Sequence, residues 1–101
     1  MKNINETEWP EAISAGLVLV DFWAEWCGPC RAMGPILEQV HEQLPSVEVV
    51  KVNVDDNPKL AAEQNVKSLP TLQLYKDGEL IWSEPGSKAF GALIQKLSPH
   101  V

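Results

Sequence analysis

The sequence predicts an α/β domain, with a central mixed β-sheet of four to five strands flanked by four helices on both faces. Three observations carry this. The chain of 101 residues has room for one domain, residues 1–101, around one hydrophobic core. Its apolar periodicity switches several times between strand-like and helix-like spacing. Near the C-terminus, Asp77-Gly78 separates two strand-like segments, a strong hairpin signal.

In chain order, Lys2 to Asn5 reads as a short first strand. Thr7 to Ala15 reads as a helix, with Thr7 as N-cap, Pro10 in the first turn and Gly16 as the stop. Leu17 to Trp23 is a near-continuous apolar run, which suits a strand buried on both faces. From Cys30 to Gln43, apolar residues at Met33, Ile36, Leu37, Val40 and on to Leu44 recur at helical spacing. Pro35 inside that helix removes one backbone donor and should kink it. Val47 to Val54 is the next strand, and Asn57-Pro58 reads as N-cap and first residue of a helix ending near Gln64. Thr71 to Lys76 and Glu79 to Ser83 form the hairpin. Ser87 is expected to cap a last helix whose apolar face holds Phe90, Leu93, Ile94 and Leu97. Strands separated by helices of crossover length are expected to pair in parallel, and the closing hairpin to add antiparallel strands.

Composition narrows the function classes. An apolar fraction of 45% with 22% charged residues is ordinary for a soluble globular domain. No apolar run approaches the roughly 20 residues that cross a bilayer, and Met1 to Pro10 has no signal-peptide core. Eight basic against fourteen acidic residues give a net charge of −6, which argues against nucleic acid or an anionic membrane as partner. A cytoplasmic monomer is expected.

The two cysteines are more informative. They lie three apart, in Cys27-Gly28-Pro29-Cys30, where a disulfide closes too short a loop to restrict the unfolded chain much. They follow directly after the strand ending at Trp23, and active sites of open α/β sheets lie beyond the carboxyl ends of strands. Cys27 at a helix N-terminus meets unpaired N–H groups and the positive end of the macrodipole. Thiol pKa values at such places fall to roughly 3.5–7.5. Such a pair can attack a substrate disulfide through Cys27 and resolve the mixed disulfide through Cys30. The rival is half a zinc site, but only His41 and His100 remain as further imidazole ligands. His41 is eleven residues beyond Cys30 on one predicted helix, about 16 Å away by the helical rise, so no metal is expected.

The segment Asp21-Phe22-Trp23-Ala24-Glu25-Trp26-Cys27-Gly28-Pro29-Cys30 resembles the active-site segment of the thioredoxin family. The resemblance runs over nearly the whole chain. Pro35 matches the family's helix-kinking proline, Lys51-Val52-Asn53-Val54-Asp55 its third-strand segment, and Leu69-Pro70-Thr71 its cis-proline loop; Asp77-Gly78 and Gly86 also fall in place. It implies the thioredoxin fold and a protein-disulfide reductase that needs no bound cofactor, because both electrons reside on the two sulfurs. The implied partners are disulfide-containing proteins and a thioredoxin reductase that restores the dithiol.

Residue roles follow by the same resemblance. Asp21 is the buried acid that helps move the proton of Cys30, with Lys51 as its charge partner; a carboxyl amid Leu17 to Trp23 should also have a raised pKa through desolvation. Trp26, Gly28, Pro29, Leu69, Pro70, Thr71 and Gly86 form the substrate-binding surface. Trp26 is the exposed aromatic, and Trp23, ending the buried strand, the core member of that pair. The segment Glu84-Pro85-Gly86-Ser87 departs from the family pattern, so Glu84 is expected to add negative charge beside the groove and disfavour acidic targets. Trp9 and Trp82 are read as packing residues and His41 as a solvated helix residue. Two other readings stay open: an oxidant or isomerase with the same chemistry, and a binding subunit without redox turnover. Gly28-Pro29 resembles the dipeptide of the reducing members.

Overall fold

The computed structural model describes residues 1–101 as five strands and four helices. In chain order these are β1 (Lys2–Asn3), α1 (Trp9–Ala12), β2 (Leu17–Trp23), α2 (Gly28–Gln43), β3 (Val47–Asn53), α3 (Pro58–Glu63), β4 (Thr71–Lys76), β5 (Glu79–Pro85) and α4 (Phe90–Leu97). A short 3-10 turn, Ser98–His100, ends the chain. The strands form one mixed sheet in the order β1-β3-β2-β4-β5. β3 runs parallel to both β1 and β2; β4 runs antiparallel to β2 and to β5. No helix is long and apolar enough to cross a membrane.

The continuous apolar run of β2 is explained by its central place. Leu17 and Leu19 face one core with Met33, Leu37 and Val40 of α2 and Leu93 and Leu97 of α4. Val18, Val20 and Phe22 face the other, with Trp9, Leu60 and Tyr75. Alternate residues of one strand thus fill cores on opposite faces of the sheet, and both faces are covered by helices. Trp9 and Trp82 pack against these cores, as expected.

The hairpin adds antiparallel strands to the sheet, as expected. α3 joins β3 to β4, yet those strands are not neighbours, and β4 runs antiparallel to β2. Six helical residues rise only about 9 Å, too little to carry the chain back along a seven-residue strand of about 23 Å. β4 therefore starts near the end of the sheet that β3 has reached.

Several element ends also move. The first helix is shorter than the Thr7 to Ala15 segment, and Thr7 does not cap it. Asn5 Oδ1 accepts from the Glu8 amide at 3.0 Å, and Glu8 Oε1 accepts from the Asn5 amide at 3.0 Å, a reciprocal cap two residues earlier. α2 begins at Gly28, and continues through Pro35 as one 16-residue helix. Asn57 precedes α3 without a side-chain cap; Glu6 Oε1 reaches across to accept the Leu60 amide at 3.2 Å. Ser87 does not cap α4, whose N-cap position is Ala89. β5 extends through Pro85, so Glu84 and Pro85 are strand residues. The hairpin turn behaves as expected, with positive φ at both Asp77 and Gly78.

Candidate active site

The chain leaves the carboxyl end of β2 at Trp23 and turns at once into α2. Cys27 is the N-cap, with extended backbone (φ −89°, ψ 106°), and its Sγ accepts the Cys30 amide at 3.2 Å. This is the role an oxygen side chain usually fills at that position. Pro29 sits in the first turn, where its missing N–H costs nothing. The next residue in the turn is Cys30, and the two cysteines are joined as a disulfide with Cα atoms 5.3 Å apart. Both are largely buried, in a small cluster with Ala24 against which Trp23, Val54 and Leu69 pack.

Asp21 lies two residues before Trp23 on the same face of β2, the face that α2 covers. It is 0% exposed, and neither carboxyl oxygen has a hydrogen-bond partner. Burial pushes its pKa up from 3.8 to about 7, with the Lys51 charge pulling in the opposite direction. Lys51 is directly opposite Asp21 in the β2–β3 register. It forms no ion pair there: its Nζ sits over the Trp23 ring, 4.3 Å from the centroid. The two therefore interact through space and not by a hydrogen-bonded bridge. Trp23 itself is half-buried, and its Nε1 donates to Asn3 Oδ1 at 2.9 Å.

On the outer side, Trp26 is 70% exposed and its Nε1 donates to Asp55 Oδ2 at 2.9 Å. Trp26, Val54, Val66, Lys67, Ser68 and Leu69 line a depression of about 220 Å³. Leu69 and Val54 thus border both this depression and the disulfide cluster. The Leu69-Pro70 peptide is cis. Thr71 Oγ1 donates to the Ser68 carbonyl at 2.7 Å, closing the loop from within. Gly86, at φ 90°, donates its amide to the Pro70 carbonyl at 2.8 Å, which draws the end of β5 to the cis-proline loop.

A thioredoxin family model matches residues 1–99. The chain belongs to the thioredoxin family. A thioredoxin of Chlamydia trachomatis serovar D is 41% identical over 97 residues, covering 96% of this chain and 95% of that protein. Mitochondrial thioredoxin 3 from Saccharomyces cerevisiae, in its oxidized form, superposes with a TM-score of 0.90 at 36% identity, covering 98% of this chain and 94% of that one. A chain from a study of the thiol resolving mechanism in yeast mitochondrial 1-Cys peroxiredoxin via glutathione/thioredoxin systems gives 0.90 at 35%, with the same coverage, 98% and 94%. As a thioredoxin-family protein, the chain is a thiol–disulfide oxidoreductase, a protein-disulfide reductase with Cys27 and Cys30 as its redox-active centre.

The structure brings Cys27, Cys30, Leu69 and the Trp26 depression to one end of the sheet, with Asp21 buried on the adjoining strand. Glu84 is a correction to the sequence reading. Its carboxylate meets Lys96 Nζ at 2.5 Å and Lys88 Nζ at 3.5 Å, so it does not add a free negative charge beside the groove. Those lysines hold its pKa below the ordinary carboxylate value, Lys96 most strongly. Asp55, Val66 and Asn3 are site neighbours to which the sequence alone assigns no role. Asp55 stands in a segment already matched to the family, but its bond to Trp26 spans 29 residues, and no local pattern announces such a contact.

Proposed function

We propose that this thioredoxin-family protein reduces protein disulfides in the cytoplasm and is returned to the dithiol by a thioredoxin reductase. The observation that carries the proposal is the N-cap position of Cys27, whose sulfur already accepts a backbone N–H at the positive end of α2. After reduction, those dipoles stabilise a Cys27 thiolate. The thiolate attacks one sulfur of a substrate disulfide, forming a mixed disulfide and expelling a substrate thiolate, which takes a proton from solvent. Asp21 accepts the proton of Cys30, whose sulfur then attacks Cys27 Sγ. The second substrate sulfur leaves as a thiolate and takes a proton from solvent, and the Cys27–Cys30 disulfide re-forms. Two electrons have passed to the substrate.

A pKa near 7 suits Asp21 to that transfer, since a carboxylate of ordinary acidity would hold the proton poorly at neutral pH. Lys51 tempers the shift. The substrate strand is held by Trp26, Gly28, Pro29, Leu69, Pro70, Thr71 and Gly86, with an apolar side chain seated in the depression beside Trp26. Substrates of the peroxiredoxin class are consistent with one of the structural relatives.

The test is reduction of insulin by the full chain with NADPH and a thioredoxin reductase. Sustained turnover is expected, abolished by Cys27→Ser. Cys30→Ser should instead accumulate a covalent adduct with substrate. Full activity of both variants would falsify the redox reading.

A further inference from the structure

The sheet register lines up Asn3, Lys51 and Asp21 across three adjacent strands, Asn3 opposite Lys51 and Lys51 opposite Asp21. Trp23, two residues beyond Asp21, lays its indole back over this row. The ring covers the Lys51 ammonium at 4.3 Å, and the far edge is pinned by the bond from Nε1 to Asn3 Oδ1. We propose that Trp23 and Asn3 are positioning residues that hold the Lys51 ammonium beside the Asp21 carboxyl. The inference rests on the proposed role of Asp21 as the proton acceptor from Cys30.

The need for such a clamp follows from the neighbourhood. Lysine carries a strongly hydrated point charge on a flexible stem, and it drifts toward water or carboxylates when nothing restrains it. Asn3 and Trp23 form part of the wall of a polar cleft of about 430 Å³, whose other walls carry Glu8, Glu25 and Asp56. Glu8 is engaged by Lys2 at 3.2 Å, which leaves Glu25 and Asp56 to attract a released ammonium. Around Asp21 itself there is no substitute. Its partner on β4 is Leu72, and the buried side chains of the covering helices are Cys30, Met33, Leu37 and Val40 of α2 and Leu93 and Leu97 of α4. Lys51 on β3 is the one formal charge facing it, apart from the cysteine thiols when reduced. The indole face attracts the ammonium, and the Asn3 bond stops the indole from swinging into the cleft.

The experiment is a titration of the Asp21 carboxyl by carbon NMR in the oxidised full chain, together with the pH profile of insulin reduction. Lys51→Met sets the reference, an upward shift of the Asp21 midpoint by about one unit. Asn3→Ala and Trp23→Leu should each shift it upward by a measurable part of that. Trp23→Phe keeps a ring face but no donor, and should match Asn3→Ala without adding to it in the double variant. This conservative change also guards against a misfolded Trp23→Leu. An unchanged midpoint in Asn3→Ala and Trp23→Phe, or a downward shift in either, overturns the proposal. If the carboxyl midpoint moves upward while the rate profile does not, the positioning stands and the role given to Asp21 fails instead.

Discussion

The Gly86 amide donates to the Pro70 carbonyl at 2.8 Å, so the end of β5 and the cis-proline loop are tied by one backbone bond beside the disulfide. Gly86 makes this bond at φ 90°, a conformation side chains rarely adopt. A Cβ built there would meet nothing within 4 Å, so replacement is opposed by backbone strain alone. Gly86→Ala is expected to cost about 1 kcal/mol in urea unfolding and to raise KM for a protein disulfide more than it lowers kcat. An unchanged KM would show that this bond does not shape the substrate surface.

How much of this was legible beforehand depends on the range of the interaction. Leu17 to Trp23 and the Asp77-Gly78 turn were readable because apolar runs and φ-positive residues act within a few residues. The cysteine pair was readable because the helix start and the spacing are local. The start of α1 was misread because its cap comes from Asn5 with Glu8, not from Thr7; the ends of α3 fall where expected, but the side chain that meets its first turn is that of Glu6, not Asn57. Lys51 was named as the charge partner of Asp21; the strand register sets the two opposite each other, but an aromatic face two residues along β2 competes for its ammonium. Glu84 was misread for a similar reason: Lys96 lies twelve residues away and meets it only in the folded chain.

Glu84 bridges the end of β5 to α4 through Lys96 and to the loop before α4 through Lys88, and both pairs are partly exposed. Glu84→Gln is expected to destabilise by about 0.2–1 kcal/mol at low salt, with the loss fading in 1 M salt. Because the folded pKa is lowered, this contribution is present above the ordinary carboxylate value of 4.5 and disappears as pH falls through the folded value. Rates on acidic and basic disulfide peptides should keep the same ratio in the variant. A changed ratio would restore Glu84 as a selector of substrate charge.

Tyr75 is the single tyrosine of the chain, and burial pushes its pKa up to about 12. Its hydroxyl lies 2.8 Å from both Gln64 Oε1 and Gln73 Oε1, and Gln73 Nε2 donates to Ser83 Oγ at 3.3 Å. This polar chain links the C-cap of α3 to β4 and β5 at the edge of a core. Tyr75→Phe leaves the buried Gln73 oxygen without its donor and is expected to cost about 1–2 kcal/mol in urea unfolding. In the native protein, phenolate absorbance should not rise as pH passes through 10. A midpoint near 10 with the fold intact would contradict the buried placement.

Asp21 should leave a clear signature on stability against pH. Its pKa is 3.8 in the unfolded chain and about 7 in the fold, where burial disfavours the charged form. Between those values the native state holds a proton that the unfolded state has released. Stability therefore falls as pH rises from about 4 to 7, and levels off above the folded value. At about 1.4 kcal/mol per pH unit, this interval sets an upper bound of about 4 kcal/mol on the loss. Asp21→Asn removes the titrating group and should flatten this part of the profile. Relative to the unaltered chain, the variant should gain stability progressively from pH 5 to pH 8. The check is urea unfolding at several pH values in that range, with the disulfide intact. Parallel profiles for the two proteins would mean that Asp21 titrates in the fold much as it does in water, and that its buried carboxyl is not the source of the slope.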